Sequence, residues 1–258
     1  MYPKAEKGAV LIAVLWICAL VSWIALSYAA KERFDAESQR LRIEKTKGMY
    51  LALSGAHEVL ARIAGSDFGP LRERGHLRPD GRPRRLDFST GHCMVRVENE
   101  REKVNVNLAS RRELEIVLDN AGYEDRAAGL AFEIDANIRP ANNDGRLCSP
   151  CGPLDTIEQM VLYRGVDTQM FYGQAYRFEE RGKQDKTPLF DLFTVVGDRS
   201  EMHADEGGPA PEFEDGGIYR IVSVGRVSEN SAASAVWLVI KLSRSSMYGY
   251  ELLYRKVL

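Results

Sequence analysis

The sequence predicts an α+β protein: one long N-terminal helix, an antiparallel sheet, and a helical block between the strands. Three observations carry this. Ala9–Ala30 holds no charged residue. The next thirty-odd residues keep a helical spacing of apolar positions. The last forty alternate apolar and polar residues in strand-like runs.

The charge-free stretch is long enough to cross a bilayer as a helix, since roughly 20 apolar residues at ~1.5 Å each match a ~30 Å hydrocarbon core. Lys4, Glu6, Lys7 and Gly8 precede it. Ser27-Tyr28-Ala29 offers a small-x-small pattern, so a cleaved secretory signal is one reading. The apolar run exceeds the usual ~7–15 residues of such signals. From Lys31 to Ala64 no proline occurs, and Phe34, Leu41, Met49, Leu53, Ala56, Leu60 and Ile63 recur at helical steps. One helix from residue 9 to about 65 is therefore expected, with 9–30 spanning a membrane. Gly48 and Gly55 are expected to weaken it locally. An ordinary single-span anchor is the other alternative.

The chain has 258 residues and a formal net charge of −2. That length leaves room for a core beyond the helix, and the charge gives no global pull toward nucleic acid. After Gly65 comes an Arg-rich, Pro/Gly-punctuated run through Arg85, read as a solvated loop. His92–Val97 reads as a strand with Cys93, Val95 and Val97 on one face. Val104-Asn105-Val106-Asn107-Leu108-Ala109-Ser110 follows, its asparagines suited to local backbone bonding and Ser110 to a helix cap. Helices are expected over Arg111–Asn120 (stopped by Gly122), Asp125–Ile138, Leu154–Tyr163 and Thr168–Phe178. Glu201–Gly217 is acidic and rich in glycine and proline, and reads as linker. Val222 and Val224, then Val236 to Leu242, then Tyr248 to Tyr254 read as three strands of a half-buried antiparallel sheet packed on the long helix.

A charged leader ending in Gly8, followed by an uncut apolar helix, resembles a type IV pilin-like signal. The resemblance implies cleavage by a prepilin peptidase between Gly8 and Ala9, and a methylated Ala9. Most such chains carry glutamate at the fifth mature position, which is Ala13 here. The minor pseudopilin K family of type II secretion also lacks it. The Val-Asn-Val-Asn-Leu-Ala run, the Gly152-Pro153-Leu154 to Gly165-Val166 block and the Gly8–Trp16 start resemble that family in order and spacing. The resemblance implies a pilin-like head with an inserted α-domain. Its parts are a leader 1–8, the helix 9–65, the first part of the head 66–104, the insert 105–182, a linker 183–217 and the β part 218–258. It implies a single-pass inner-membrane protein with a periplasmic head, placed at the pseudopilus tip. The implied partners are minor pseudopilins of the I and J types and the prepilin peptidase. Relatives repeat the asparagine motif near the C-terminus and this chain does not, so a reduced insert is expected. A minor pilin of a type IV pilus fits the same features. A DNA receptor fits the helix-hairpin-helix outline, but Asp155 and Asp167 beside Arg164 disfavour phosphate, and no nucleic acid is expected.

The chemistry-bearing residues are few. Cys18 lies in the apolar span. Cys148 and Cys151 could pair with each other, or either with Cys93; a redox pair, or zinc with His92, is the less favoured reading. Asp135, Asn137, Asn142, Asn143, Asp144 and Gly145 form an oxygen-rich loop of the kind calcium takes. They are also turn formers, which is the preferred reading. Calcium is the one cofactor suggested. His57, His76 and His203 pair with no candidate nucleophile, and no catalytic motif appears. An enzyme is not expected.

Overall fold

The structure is a computed structural model that describes residues 6–64, 77–140, 152–173, 186–197, 212–229, 231 and 233–257. Helix α1 runs unbroken over Glu6–Ala64. At ~1.5 Å per residue it is about 88 Å long. Its exposed part reaches past Lys47, and the rest packs on a sheet.

The sheet has five antiparallel strands in the order β1 (Arg84–Phe88), β2 (Gly91–Asn99), β5 (Ile218–Arg226), β6 (Ser234–Leu242) and β7 (Tyr250–Val257). Strand β1 is a correction. Arg84 and Arg85 were expected in a loop, yet Arg84 pairs with Val95 and Arg85 with Met94. Its charges sit on an edge strand, where they face solvent and discourage pairing with another chain.

Between β2 and β5 the chain leaves the sheet and builds the helical insert. A short parallel pair, β3 (Val104–Asn105) with β4 (Phe193–Thr194), closes its root. Within it lie α2 (Arg111–Leu118), α3 (Ala127–Ile138), a 3-10 helix over Ile157–Leu162, α4 (Thr168–Tyr172) and α5 (Leu189–Leu192). Ser110 caps α2: its hydroxyl accepts from the Glu113 N–H while the Glu113 carboxylate accepts from the Ser110 N–H. Such a reciprocal cap satisfies two otherwise orphaned donors. Gly122 turns the chain at φ 90°, where a Cβ is disfavoured. Residues 189–194 fall within the expected linker, but Leu189, Phe190, Leu192 and Phe193 are buried in the insert's core. Residues 198–211, the rest of that stretch up to Glu212, lie outside the described residues.

The sheet was expected to be half-buried; instead both faces of β2, β5 and β6 are covered. Cys93, Val95, Val97, Tyr219, Ile221, Val236, Leu238 and Ile240 pack under α1. Val222, Val224, Ala235 and Trp237 pack against the insert. Val222 and Val224 therefore face away from α1, contrary to expectation. The layers run helix, sheet, insert. The run Ala235-Val236-Trp237-Leu238-Val239-Ile240 fits this, because a strand covered on both faces loses its alternation.

Candidate functional site

Among the described residues one helix is long and apolar enough to cross a membrane, with a mean hydropathy of 2.2 in its best window. It fits a single-pass anchor. Leu11, Leu15, Trp16, Ile17, Leu20, Trp23 and Ile24 are all exposed. Ala13, at the expected glutamate position, is exposed too. Gly8 and Ala9 lie within the helix backbone. Farther along, Phe34, Leu41, Ile43 and Tyr50 remain exposed. So much uncovered apolar surface on one rod marks a surface meant for lipid or for other helices.

The helix grips the sheet through Gly48, Leu51, Ala52, Gly55, Ala56, Val59, Leu60 and Ile63. Their spacing of three and four residues is one helical face. The glycines correct the sequence reading, which treated them only as weak points. A Cβ on Gly55 would collide with Cys93 Sγ and stand 2.9 Å from Ser223 Oγ. A Cβ on Gly225 of β5 would collide with the carbonyl oxygen of Gly48 and the amide nitrogen of Ala52. The helix backbone thus rides close on the sheet because both sides lack side chains there. Ser234 Oγ donates to the Lys45 carbonyl at 2.8 Å and ties β6 to the start of the packed segment.

On the other face the insert is rooted by buried charge. Arg220 of β5 binds Glu100 along one edge of its guanidinium, through Nε at 2.5 Å and Nη2 at 3.0 Å. Its third nitrogen donates to the Phe190 carbonyl at 2.6 Å, and the guanidinium lies 3.9 Å over the Phe190 ring. Lys103 bridges Glu98 at 2.6 Å and Glu100 at 3.0 Å. Arg96 bridges Glu98 at 3.0 Å and Asp191 at 2.7 Å. The cluster balances Arg96, Lys103 and Arg220 against Glu98, Glu100 and Asp191. Burial pushes the Glu98 and Glu100 carboxyls up, but Arg96, Lys103 and Arg220 outweigh it at Glu98, and Arg220 and Lys103 outweigh it at Glu100, so both lie below the usual carboxylate range. No sequence signal pointed to this cluster, because its members sit in three separate segments, 96–103, Asp191 and Arg220.

The asparagine motif is a junction. Asn107 Oδ1 accepts from the Leu154 N–H at 2.8 Å and its Nδ2 donates to the Leu154 carbonyl at 2.9 Å. Asn105 Oδ1 accepts from the Asn107 N–H and its Nδ2 donates to the Gly197 carbonyl at 2.7 Å. Arg139 donates to the carbonyls of Asn107 and Ala109.

Cys93 is a free thiol buried between β2 and α1. Burial pushes it up to about 11, against a hydrogen bond with Ser223 that lowers it. It lies on the sheet face away from the insert, whereas Cys148 and Cys151 lie outside the described residues. Of the calcium candidates, Asp135 is engaged by Arg139 at 2.7 Å, and the Asn137 side chain donates to the Glu133 carbonyl. Asn142, Asn143, Asp144 and Gly145 lie outside the described residues. Calcium takes ~6–8 oxygens, and the described donors do not make such a set. Among the described residues no group of three or more His, Cys, Asp or Glu is arranged to hold a metal.

No protein-family model matches the chain. No curated protein matches it either. Among solved structures, a chain of the GspK-GspI-GspJ complex from the type 2 secretion system of enterotoxigenic Escherichia coli is similar. The two share 12% identity and a TM-score of 0.48, over 88% of this chain and 99% of that one.

Proposed function

We propose that this chain is a minor pseudopilin of a type II secretion system, of the K type, placed at the pseudopilus tip. The observation that carries the reading is α1: one helix whose N-terminal part is exposed and apolar and whose C-terminal part is fixed to a sheet. Such a rod suits a subunit that waits in a bilayer and later packs helix to helix in a filament. The leader and asparagine-motif resemblances supply the type.

In this reading the charge-free segment holds the subunit in the inner membrane with its head in the periplasm. After cleavage at Gly8, Ala9 is the methylated N-terminus. Ala13 removes a carboxylate that a neighbour's amine would otherwise have to neutralise inside an apolar bundle. The insert, rooted on the outer face of the sheet, adds bulk that blocks a subunit above. Partners are minor pseudopilins of the I and J types, packed along Leu41, Ile43 and Tyr50, which are free in the single chain. The role is structural and not enzymatic.

The test is the N-terminal mass of the protein recovered from membranes, with and without the prepilin peptidase. A chain starting at methylated Ala9 is expected when the peptidase is present. A start near Ala30, or an intact Met1 in both cases, overturns the filament reading.

A further inference from the structure

Where β6 and β7 meet the 3-10 helix of the insert, there is a pocket of about 80 Å³. Ile157, Val195 and Leu253 give it an apolar wall; Trp237, Glu158 and Tyr254 are its polar neighbours, and the paired Glu100 and Arg220 line it too. Two of these residues carry a stranded atom. Glu158 Oε2 and Trp237 Nε1 have no hydrogen-bond partner among the described residues. The Glu158 side chain is 9% exposed. Its other oxygen is occupied: Tyr254 donates to Oε1 at 2.8 Å, and Lys256 stands 3.7 Å away. Leaving buried polar atoms unmatched is unfavourable, so the site favours an occupant that brings partners to these residues.

The strand beside it is shaped for the pocket. Val239 pairs with Tyr254 and Ile240 with Leu252, so Leu253 is an extra residue in β7. Such bulges re-aim side chains and recur beside binding sites. This one puts the consecutive residues Leu253 and Tyr254 into the same pocket wall. Strand β7 is also the last in the sheet. Its open side offers backbone donors and acceptors to another strand. Leu252, Leu253 and Val257 are exposed along it, and Met247 and Tyr248 at the hairpin tip that leads into it.

We propose that this pocket receives a basic side chain, arginine or lysine, from an extended segment of another protein chain lying along the free edge of β7. The charges are complementary: three carboxylates, Glu100, Glu158 and the exposed Asp155, line the pocket against one guanidinium, Arg220, which Glu100 neutralises, and Lys256 reaches only the Oε1 side of Glu158. The aliphatic stem of the entering residue lies against Ile157 and Leu253. The Trp237 indole N–H needs an acceptor, which a cation cannot supply and the backbone carbonyl of the same segment can. Lys256, with its ammonium 6.0 Å from the Trp237 ring centre, shows a cation already settled on the neighbouring side of this aromatic wall. Water alone could fill the space, and that is an outcome the test separates. The inference rests on these residues and holds whatever assembly the chain joins.

Trp237 is a reporter, since the other tryptophans, Trp16 and Trp23, lie in the apolar span. The full chain in detergent micelles, labelled at the indole nitrogens, is titrated with acetyl-Val-Arg-Val-amide, its norleucine counterpart, and methylguanidine. The arginine peptide is expected to shift the Trp237 signal saturably, and the norleucine peptide to bind at least tenfold more weakly. Glu158→Gln should weaken the arginine peptide at least tenfold. Asp155→Asn, at an exposed position that carries no fold risk, should weaken it several-fold. Equal binding of the two peptides, or indifference to both substitutions, overturns the cation site. Methylguanidine binding as tightly as the peptide overturns the extended segment. No shift with any probe means a pocket that holds water only.

Discussion

Gly55 of the anchor helix stands over Cys93 of β2 so closely that no side chain fits between them. Two effects oppose each other at this position. Alanine in place of glycine favours a helix by ~1 kcal/mol. Forcing a methyl into a packed interior costs ~1–3 kcal/mol. Here the obstacles come from three residues, Cys93, Ser223 and Val95, so the steric term wins. Gly55→Ala is expected to lower stability by about 1–2 kcal/mol, read by urea denaturation. Adding Cys93→Ala should recover part of the loss, a coupling that a double-mutant cycle measures. Gly129 is the control: it sits in α3 with nothing within 4 Å of its missing Cβ. Gly129→Ala should stabilise by ~0.5–1 kcal/mol. Destabilisation at both positions to the same degree would sink the close-packing account.

Arg220 and Glu100 hold the insert to the sheet, and neither can be removed alone. Arg220→Met leaves Glu100 almost fully buried with Lys103 as its remaining cation in the ion pairs. Breaking a buried pair on one side costs ~3–5 kcal/mol. Circular dichroism melts should show that loss, and Trp237, which stacks on Phe190 at 4.2 Å, should lose its near-ultraviolet signal.

The same cluster fixes an acid limb. The carboxyls of Glu98 and Glu100 are depressed in the folded chain. Their stabilisation is therefore complete above the unfolded value of ~4.3 and is lost as pH falls from there toward the folded values. Midpoints of urea unfolding are expected to drop steeply below about pH 4, and the Glu100→Gln variant to show a shallower drop from a lower start. An identical slope in both would mean that other carboxylates set the acid limit.

The long helix, the cap at Ser110 and the three C-terminal strands were legible because each is a local pattern. The anchor is a run of one composition, the cap a spacing of three residues, the strands an alternation. Strand β1 was not legible, since Arg84, Arg85 and Asp87 disguise an edge strand as a solvated loop. The orientation of Val222 and Val224 was not legible either, because a period of two says which residues share a face but not which layer covers it. The ion cluster joins residues up to 120 positions apart, and no window of sequence holds it. Gly48 and Gly55 were seen, but their role belongs to Gly225 and Cys93 on another element.

Asn107 acts as a strand-like partner for Leu154, accepting and donating to one residue's backbone. Asn107→Ala orphans a buried N–H and carbonyl together and should cost ~1–3 kcal/mol. Asn107→Asp keeps the acceptor and loses the donor, so it should fall between alanine and the native chain. A melt in which aspartate and alanine behave alike would show that the donor half carries the junction.

Cys93 lies under α1 on the sheet face away from the insert, with its thiol pushed up to about 11 by burial. A thiol so placed is protonated at neutral pH and poorly nucleophilic. Iodoacetamide at pH 8 is therefore expected to spare Cys93 in the folded chain and to label it fully in denaturant without any reductant. Cys148 and Cys151 should resist labelling in denaturant until dithiothreitol is added, and an unreduced peptide map should show them joined to each other. A crosslinked peptide containing Cys93 would contradict this expectation, because its sulfur is enclosed under Gly55 of α1.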